Sequence, residues 1–351
     1  MDDAARAASW RWWWTRYCDE CRIDPWLSDC PLTVQQQLFL GFAARVRTGY
    51  FGTGRPVGSQ TVEKAIRHVA QARALAGLTD PRRTTGRNDL DLPFAHLLKS
   101  YKQVDPAPRP QVALPVIAIE AATAAGLLPS ADSKSQATAD LIILAFFFLL
   151  RVGEYTMPAA HVRTRTTQFR ACDVKFWAGQ TILPLDSDPA VLLAATSVTL
   201  TIDNQKNGQR GQTMHHQSVP GSFCPVKAAA RRVSHVIKTL RLPPTTALST
   251  VQTLHLDHVR ASDILSAVRK GARIANLAAC GYDLSRIGAH SLRASGAMAL
   301  WLSGHTAEAI MKYGRWKSNT FLIYIHSQIA VVSQDAARKM RRPISFHNVG
   351  G

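Results

Sequence analysis

Four short stretches, far apart in the chain, carry side chains that together could work on a phosphodiester. "LLRVGEYT" closes an apolar run on Arg151, with Glu154 three residues on. The glycine-containing turn "NQKNGQRG" holds Lys206. "AHSLRASGAMAL" sets His290 and Arg293 one helical turn apart on one face, and "MKYGRWKSNTFLIYIH" holds Gly314, Arg315, Trp316 and Tyr324. Attack on a phosphodiester builds negative charge on its non-bridging oxygens. Guanidinium groups offer paired donors that match those oxygens and stay charged at any working pH, so two arginines make a phosphate clamp. A phenol, with a pKa of about 10, leaves more readily than a sugar alcohol, so a hydroxyl can reopen a tyrosyl phosphodiester and the bond energy is kept. Tyr324 sits at the edge of a helical stripe of Phe321, Leu322, Ile325, Ile329 and Val332, with Ser318 or Asn319 as N-cap. That place suits plain packing of the ring as well as a hydroxyl reaching into a cleft.

A large chain must position these groups. Its 351 residues, 46% of them hydrophobic, suffice for two domains. Lys and Arg number 42 against 24 Asp and Glu, a net charge of +18 that points to a polyanion, nucleic acid before an anionic membrane. Residues 111–351 hold 26 basic and 13 acidic residues and so carry +13 of that charge. Acidic residues so few and so spread speak against a two-metal nuclease, which needs clustered carboxylates. Neither a cofactor nor a metal is expected. Cys18, Cys21 and Cys30 lack an obvious fourth zinc ligand nearby, and the pair His215 and His216 is no better as a ligand set. Six scattered cysteines fit a reducing compartment. The apolar run "LIILAFFFLL" is too short to span a bilayer and reads as a buried helix, and the acidic opening shows no secretory signal.

Helical periodicity covers most of the first hundred residues: a helix from 33, and another from 59 with Ser59 as its cap and Gly77 as its stop. The four prolines of "VDPAPRPQVALP" mark a boundary. The expected organisation is a helical domain over 1–106, a proline-rich linker over 107–115 and a second domain from 116 to 351. Helices follow at about 116–127 and 134–151. "FRACDVKFW", "TSVTLTID" and "GQTMHHQSVP" read as three strands, the last two forming a hairpin closed by the Lys206 turn. "CPVKAAARRVSHVIKTL" returns to helix, and from about 259 onward the pattern stays helical.

In order and spacing this constellation resembles the tyrosine recombinases, the phage integrases and their relatives, over essentially the whole chain. "HSLRASGA", "GRW" ahead of "FLIYI", the "CPV" after the hairpin and the tryptophan-rich opening before "DPWL" look most like recombinases of eukaryotic mobile elements. The resemblance implies a mainly α fold with a small antiparallel β-sheet: a helical core-binding domain that grips DNA, then an α+β catalytic domain. It makes Arg151 the first catalytic arginine, Lys206 the hairpin lysine and general acid, His290 and Arg293 the HxxR pair, and Tyr324 the nucleophile, with Glu154 as a supporting acid. Most bacterial members place a histidine nine positions before the tyrosine. Here Arg315 holds that spacing and Trp316 lies eight before, as in the mobile-element relatives, so Trp316 takes the catalytic position and Arg315 supports it. Double-stranded DNA is the implied partner, with a homotetramer on paired sites and no membrane. A nuclear location is implied for a eukaryotic host, and the cytoplasm or nucleoid otherwise. Type IB topoisomerases share this chemistry, and a domesticated, non-cutting DNA-binding protein is the other alternative.

Overall fold

A computed structural model describes residues 7–52, 54–83, 89–107, 111–158, 166–202, 211–288, 290–316, 318 and 321–322. The backbone divides into two units, Met1–Pro108 and Arg109–Gly351.

In the first unit a π-helical turn over Ser9–Trp14 runs into α1 (Thr15–Cys21), followed by α2 (Leu32–Arg47), α3 (Ser59–Leu75) and α4 (Leu92–Val104). The tryptophan-rich opening is core material. Trp14 is fully buried, its ring 4.9 Å from Phe39 and 5.1 Å from Phe42, where aromatic pairs add to the area they bury. Gly77, at φ +80°, follows α3 in the left-handed conformation that glycine adopts freely. Ser59 is the first residue of α3 rather than its cap. Its backbone N–H donates to Asp105 Oδ2 at 2.7 Å, so a carboxylate from α4's end neutralises the positive end of α3.

The second unit is built around α6 (Ser133–Phe147), whose residues are buried almost without interruption from Ala137 to Phe146. A helix apolar all round needs neighbours on every side. It packs against α5 (Val116–Ala124), α9 (Pro225–Ser234), α10 (Ala261–Ile274) and α11 (Ser291–Leu302). Between α6 and α9 the chain forms the short α7 (Val152–Tyr155), a four-stranded antiparallel sheet and the short α8 (Pro189–Leu193). The strands β1 (Val174–Ala178), β2 (Thr181–Leu183), β3 (Ser197–Ile202) and β4 (Gln212–Gln217) lie in the order β2-β1-β3-β4. Register pairs Phe176 with Val198 and Leu200 with Met214, so one face is apolar and rests on α9. A second hairpin, β5 (Thr250–Gln252) with β6 (Leu256–His258), precedes α10, and α12 (Ala307–Gly314) follows α11. Among the described residues no helix is long and apolar enough to cross a membrane.

Three further local readings change. "FRACDVKFW" becomes strand only at Val174, because Asp173 accepts from the Arg170 backbone and winds Ala171–Asp173 into a 3-10 turn. β2 was not expected; it is a short edge strand reached through Gly179 at φ +61°. Residues 111–115, expected as linker, are built into the second unit. Val112 N donates to Arg286 O at 3.2 Å, Leu114 N donates to Ser295 Oγ at 2.7 Å, and residues 112–114 are buried. Proline holds this stretch extended, and the apolar residues between the prolines have a core to enter.

Candidate active site

The apolar helix α6 stops at Phe147, and the next turn decides the geometry that follows. Leu149 adopts φ +48° although its side chain is buried. A left-handed leucine costs roughly 1–2 kcal/mol, and what offsets it is visible at its carbonyl. Leu149 O accepts from Arg293 Nη1 at 2.8 Å and from Arg315 Nη2 at 3.1 Å. Both guanidiniums are thereby tied to one backbone oxygen.

Arg151, directly after this turn, is the N-cap of α7 and forms a capping box with Glu154. The Glu154 carboxylate is 2% exposed and accepts four hydrogen bonds: Arg151 N at 2.8 Å, Arg151 Nη1 at 3.1 Å, and Arg315 Nη1 and Nη2 at 3.1 and 2.9 Å. Burial alone would raise its pKa. The charges and hydrogen bonds of Arg315 and Arg151 outweigh that and hold the carboxyl below its ordinary value. Arg315 is itself pulled down by burial and supported by Glu154.

Arg315 reaches this position because α12 ends in a Schellman turn: Trp316 N donates to Met311 O at 3.0 Å and Arg315 N to Lys312 O at 3.3 Å. The left-handed residue of that turn is Arg315, at φ +56°, not its glycine neighbour. Gly314 serves another need, since a Cβ there would run into the Trp316 indole. That indole lies under Arg293, whose Cζ is 4.5 Å from a Trp316 ring centroid. Arg293, in the first turn of α11 and 3% exposed, also donates to Gly314 O. Helix α11 can press this close to α6 because Gly296 leaves room for the Phe146 carbonyl.

Arg151, Glu154, Arg293, Arg315 and Trp316 thus form one connected cluster drawn from three distant segments. Two guanidiniums, of Arg151 and Arg315, face one carboxylate, the third, of Arg293, is held on backbone carbonyls, and Arg151 keeps 23% of its side chain exposed. A cluster with surplus positive charge, rigid donors and one open arginine can hold a phosphate. His290 and Arg293 differ in burial: Arg293 is buried, whereas His290 is exposed at the N-cap of α11, where its backbone N–H donates to Gln111 Oε1 at 2.6 Å. Trp316 lies with Arg293, and Arg315 lies with Glu154.

Lys206 and Tyr324 lie outside the described residues, as does the segment after Tyr324. The strand ends flanking the Lys206 turn are described. Gly211 N donates to Ile202 O at 2.9 Å, and Gln212 Nε2 lies 3.4 Å from Lys312 O. Thr201 and Ile202 border a cleft of about 130 Å³ that is also lined by Glu154, Phe169 and Arg170. Phe321, ahead of Tyr324, is buried among Leu149, Ala294 and Ile310, its ring 5.7 Å from Trp316.

No protein-family model matches the chain, and no curated protein does. Among solved structures, the XerH site-specific recombinase bound to a palindromic difH substrate, a post-cleavage complex, is similar over 92% of this chain and 76% of its own, with 14% identity and a TM-score of 0.51. The Tn1549 transposon integrase in complex with circular intermediate DNA is similar over 87% of each chain, with 12% identity and a TM-score of 0.47. The XerH likeness decides the architecture. The chain has the tyrosine-recombinase fold.

Within that tyrosine-recombinase fold, sequence reasoning missed Gln111, which bonds the His290 backbone from within the proline-rich stretch. Its neighbours in sequence mark it only as linker. It also missed the Leu149 carbonyl as a shared acceptor, since no residue type announces a left-handed leucine.

Proposed function

We propose that this protein is a site-specific DNA recombinase of the integrase or transposase type, which cuts and rejoins duplex DNA through a 3′-phosphotyrosyl intermediate. The observation that carries this reading is the buried Glu154–Arg315 pair, joined across 161 residues of chain, which with Leu149 O fixes Arg151 and Arg293 in one cluster. In this reading Arg151 and Arg293 hold the non-bridging oxygens, and Trp316 braces Arg293 from below. The Tyr324 phenolate attacks phosphorus, the bond from phosphorus to O5′ breaks, and O5′ takes its proton from Lys206, with His290 assisting. A 5′-hydroxyl from another strand then attacks the phosphotyrosine and releases the phenolate, so no external energy source is consumed. Positive charge on the arginines does the work that a metal does elsewhere, and strand cleavage is expected to persist in excess chelator.

The segment after Tyr324, with apolar Ile329, Val331 and Val332 and a basic end at Arg338 to Arg342, is proposed to join neighbouring protomers into a tetramer on paired sites. Sedimentation of the full-length and truncated proteins on two-site DNA tests that. A nuclear location is proposed for a eukaryotic host. The decisive experiment incubates the protein with a pool of nicked duplexes of randomised sequence and looks for a protein–DNA adduct on a denaturing gel. An adduct is expected from the wild type and none from Tyr324→Phe, with DNA affinity nearly unchanged because the ring is kept. An undiminished adduct in that variant removes Tyr324 from the mechanism.

A further inference from the structure

His215 and His216 are adjacent on β4, and strand geometry sends them to opposite faces. His215 is exposed, its Nδ1 3.0 Å from Thr199 Oγ1 on the neighbouring strand. His216 turns to the end of α6, where its Nε2 lies 2.8 Å from the Phe147 carbonyl oxygen. A carbonyl only accepts, so Nε2 carries the hydrogen and donates. Phe147 is the last residue of α6, and its carbonyl is one of those that a helix end leaves without an intrahelical partner.

The same ring packs on the next residue of that segment and reaches one further segment. It meets Phe148 edge-on at 4.7 Å and lies 5.6 Å from the Tyr313 ring. Phe148 precedes Leu149, whose carbonyl holds Arg293 and Arg315; Tyr313 precedes Gly314, whose carbonyl holds Arg293. One imidazole therefore touches both backbone segments that anchor the arginines, and it is carried on the strand that leaves the Lys206 turn. Its contacts are the Phe147 carbonyl and the Phe147, Phe148 and Tyr313 rings, so its influence on the arginines runs through those segments.

We infer that His216 is a positioning residue that keeps the α6 exit, the α12 end and the β3–β4 hairpin in register around the arginine cluster. For its effect on catalysis this rests on the recombinase reading; for its effect on geometry it does not. Burial draws the imidazole pKa down to about 4. At neutral pH it is an uncharged donor and adds no repulsion beside the guanidiniums.

Two variants and two measurements test this. His216→Phe keeps an aromatic ring and removes the donor, whereas His216→Gln puts an amide N–H where Nε2 stood. Backbone hydrogen exchange is expected to rise together in 148–154 and 311–316 of His216→Phe, by roughly tenfold or more, with the first unit unchanged. Adduct formation on the nicked pool is expected to fall by roughly 10- to 100-fold at constant DNA affinity. His216→Gln is expected to return both readings to within roughly threefold of wild type, since it restores the hydrogen bond. The inference is overturned if exchange rises in one segment or neither, or if His216→Gln is as impaired as His216→Phe. If His216→Phe does not fold, near-wild-type exchange and cleavage in His216→Gln remain the requirement. A wild-type protein that forms no adduct defeats the recombinase reading, and the exchange result still decides the positioning role.

Discussion

Two buried carboxylates of the second unit, Glu154 and Asp140, behave in opposite ways. Glu154 accepts four hydrogen bonds through both oxygens from Arg151 and Arg315, and its pKa is held low. Asp140, on α6, is completely buried, and only one oxygen is engaged: Oδ1 accepts from Arg231 Nε at 2.7 Å and lies 2.6 Å from Arg231 Nη2. Its Oδ2 has no hydrogen-bond partner among the described residues, and burial, against the pull of Arg231 and Arg232, pushes the carboxyl up to about 6. Depth of burial is similar in both. What differs is the number of donors that replace water, and that number decides whether a buried carboxylate stays an anion. A firmly ionised Glu154 fixes the side chains of Arg151 and Arg315. Asp140 only ties α6 to α9.

The largest expected effect falls on the cationic side of the first cluster. Arg293→Ala and Arg151→Ala should each lower the rate of adduct formation by roughly 100- to 1,000-fold, because transition-state charge is left uncompensated. Near-normal rates in single-turnover assays would detach the cluster from the chemistry. Glu154→Ala should cost about 3 kcal/mol in urea denaturation, since it strands the buried Arg315 cation. A loss no greater than that of a surface substitution would mean the four-donor carboxylate is not a stabilising element.

Gly314→Ala is expected to be milder. The added methyl displaces the Trp316 indole from beneath Arg293, at a cost of roughly 1–3 kcal/mol, and cleavage should suffer more than the melting temperature. Equal loss in both measurements would assign the glycine to packing alone.

The smallest effect concerns Asp140 and is a slope rather than a drop. Its folded-state pKa lies above the ordinary value of 3.8, so between about pH 4 and pH 6 the folded protein binds more protons than the unfolded chain. Its unfavourable contribution is absent below that window and complete above it, so stability declines as pH rises through it. Glu154 runs the other way, its contribution present above its ordinary value of 4.5 and lost as pH falls below. Asp140→Asn should therefore flatten the fall in stability between about pH 4 and 6, as measured by urea midpoints. An unchanged slope would place the titration elsewhere and dissolve the contrast.

The amino-acid sequence by itself determined the helices with a strong local period, such as Leu32–Arg47 and the apolar Ser133–Phe147, because burial on one face or on all faces is written in residue spacing. It also determined which residue types could clamp a phosphate, and it carried the turn glycine at Gly77. Only the tertiary structure decided how these parts meet. The cap of α3 comes from Asp105, Arg315 reaches Glu154 across 161 residues, and Gln111 leaves a supposed linker to hold His290. The chain also commits a leucine to φ +48°, so that one carbonyl serves two arginines. Such choices depend on partners remote in sequence, and a local pattern carries no information about a hydrogen bond whose other half lies in another segment. Arg315 and Trp316, adjacent in sequence, thus come to different surroundings that no local pattern announces: one is buried on a carboxylate, the other spread beneath a guanidinium.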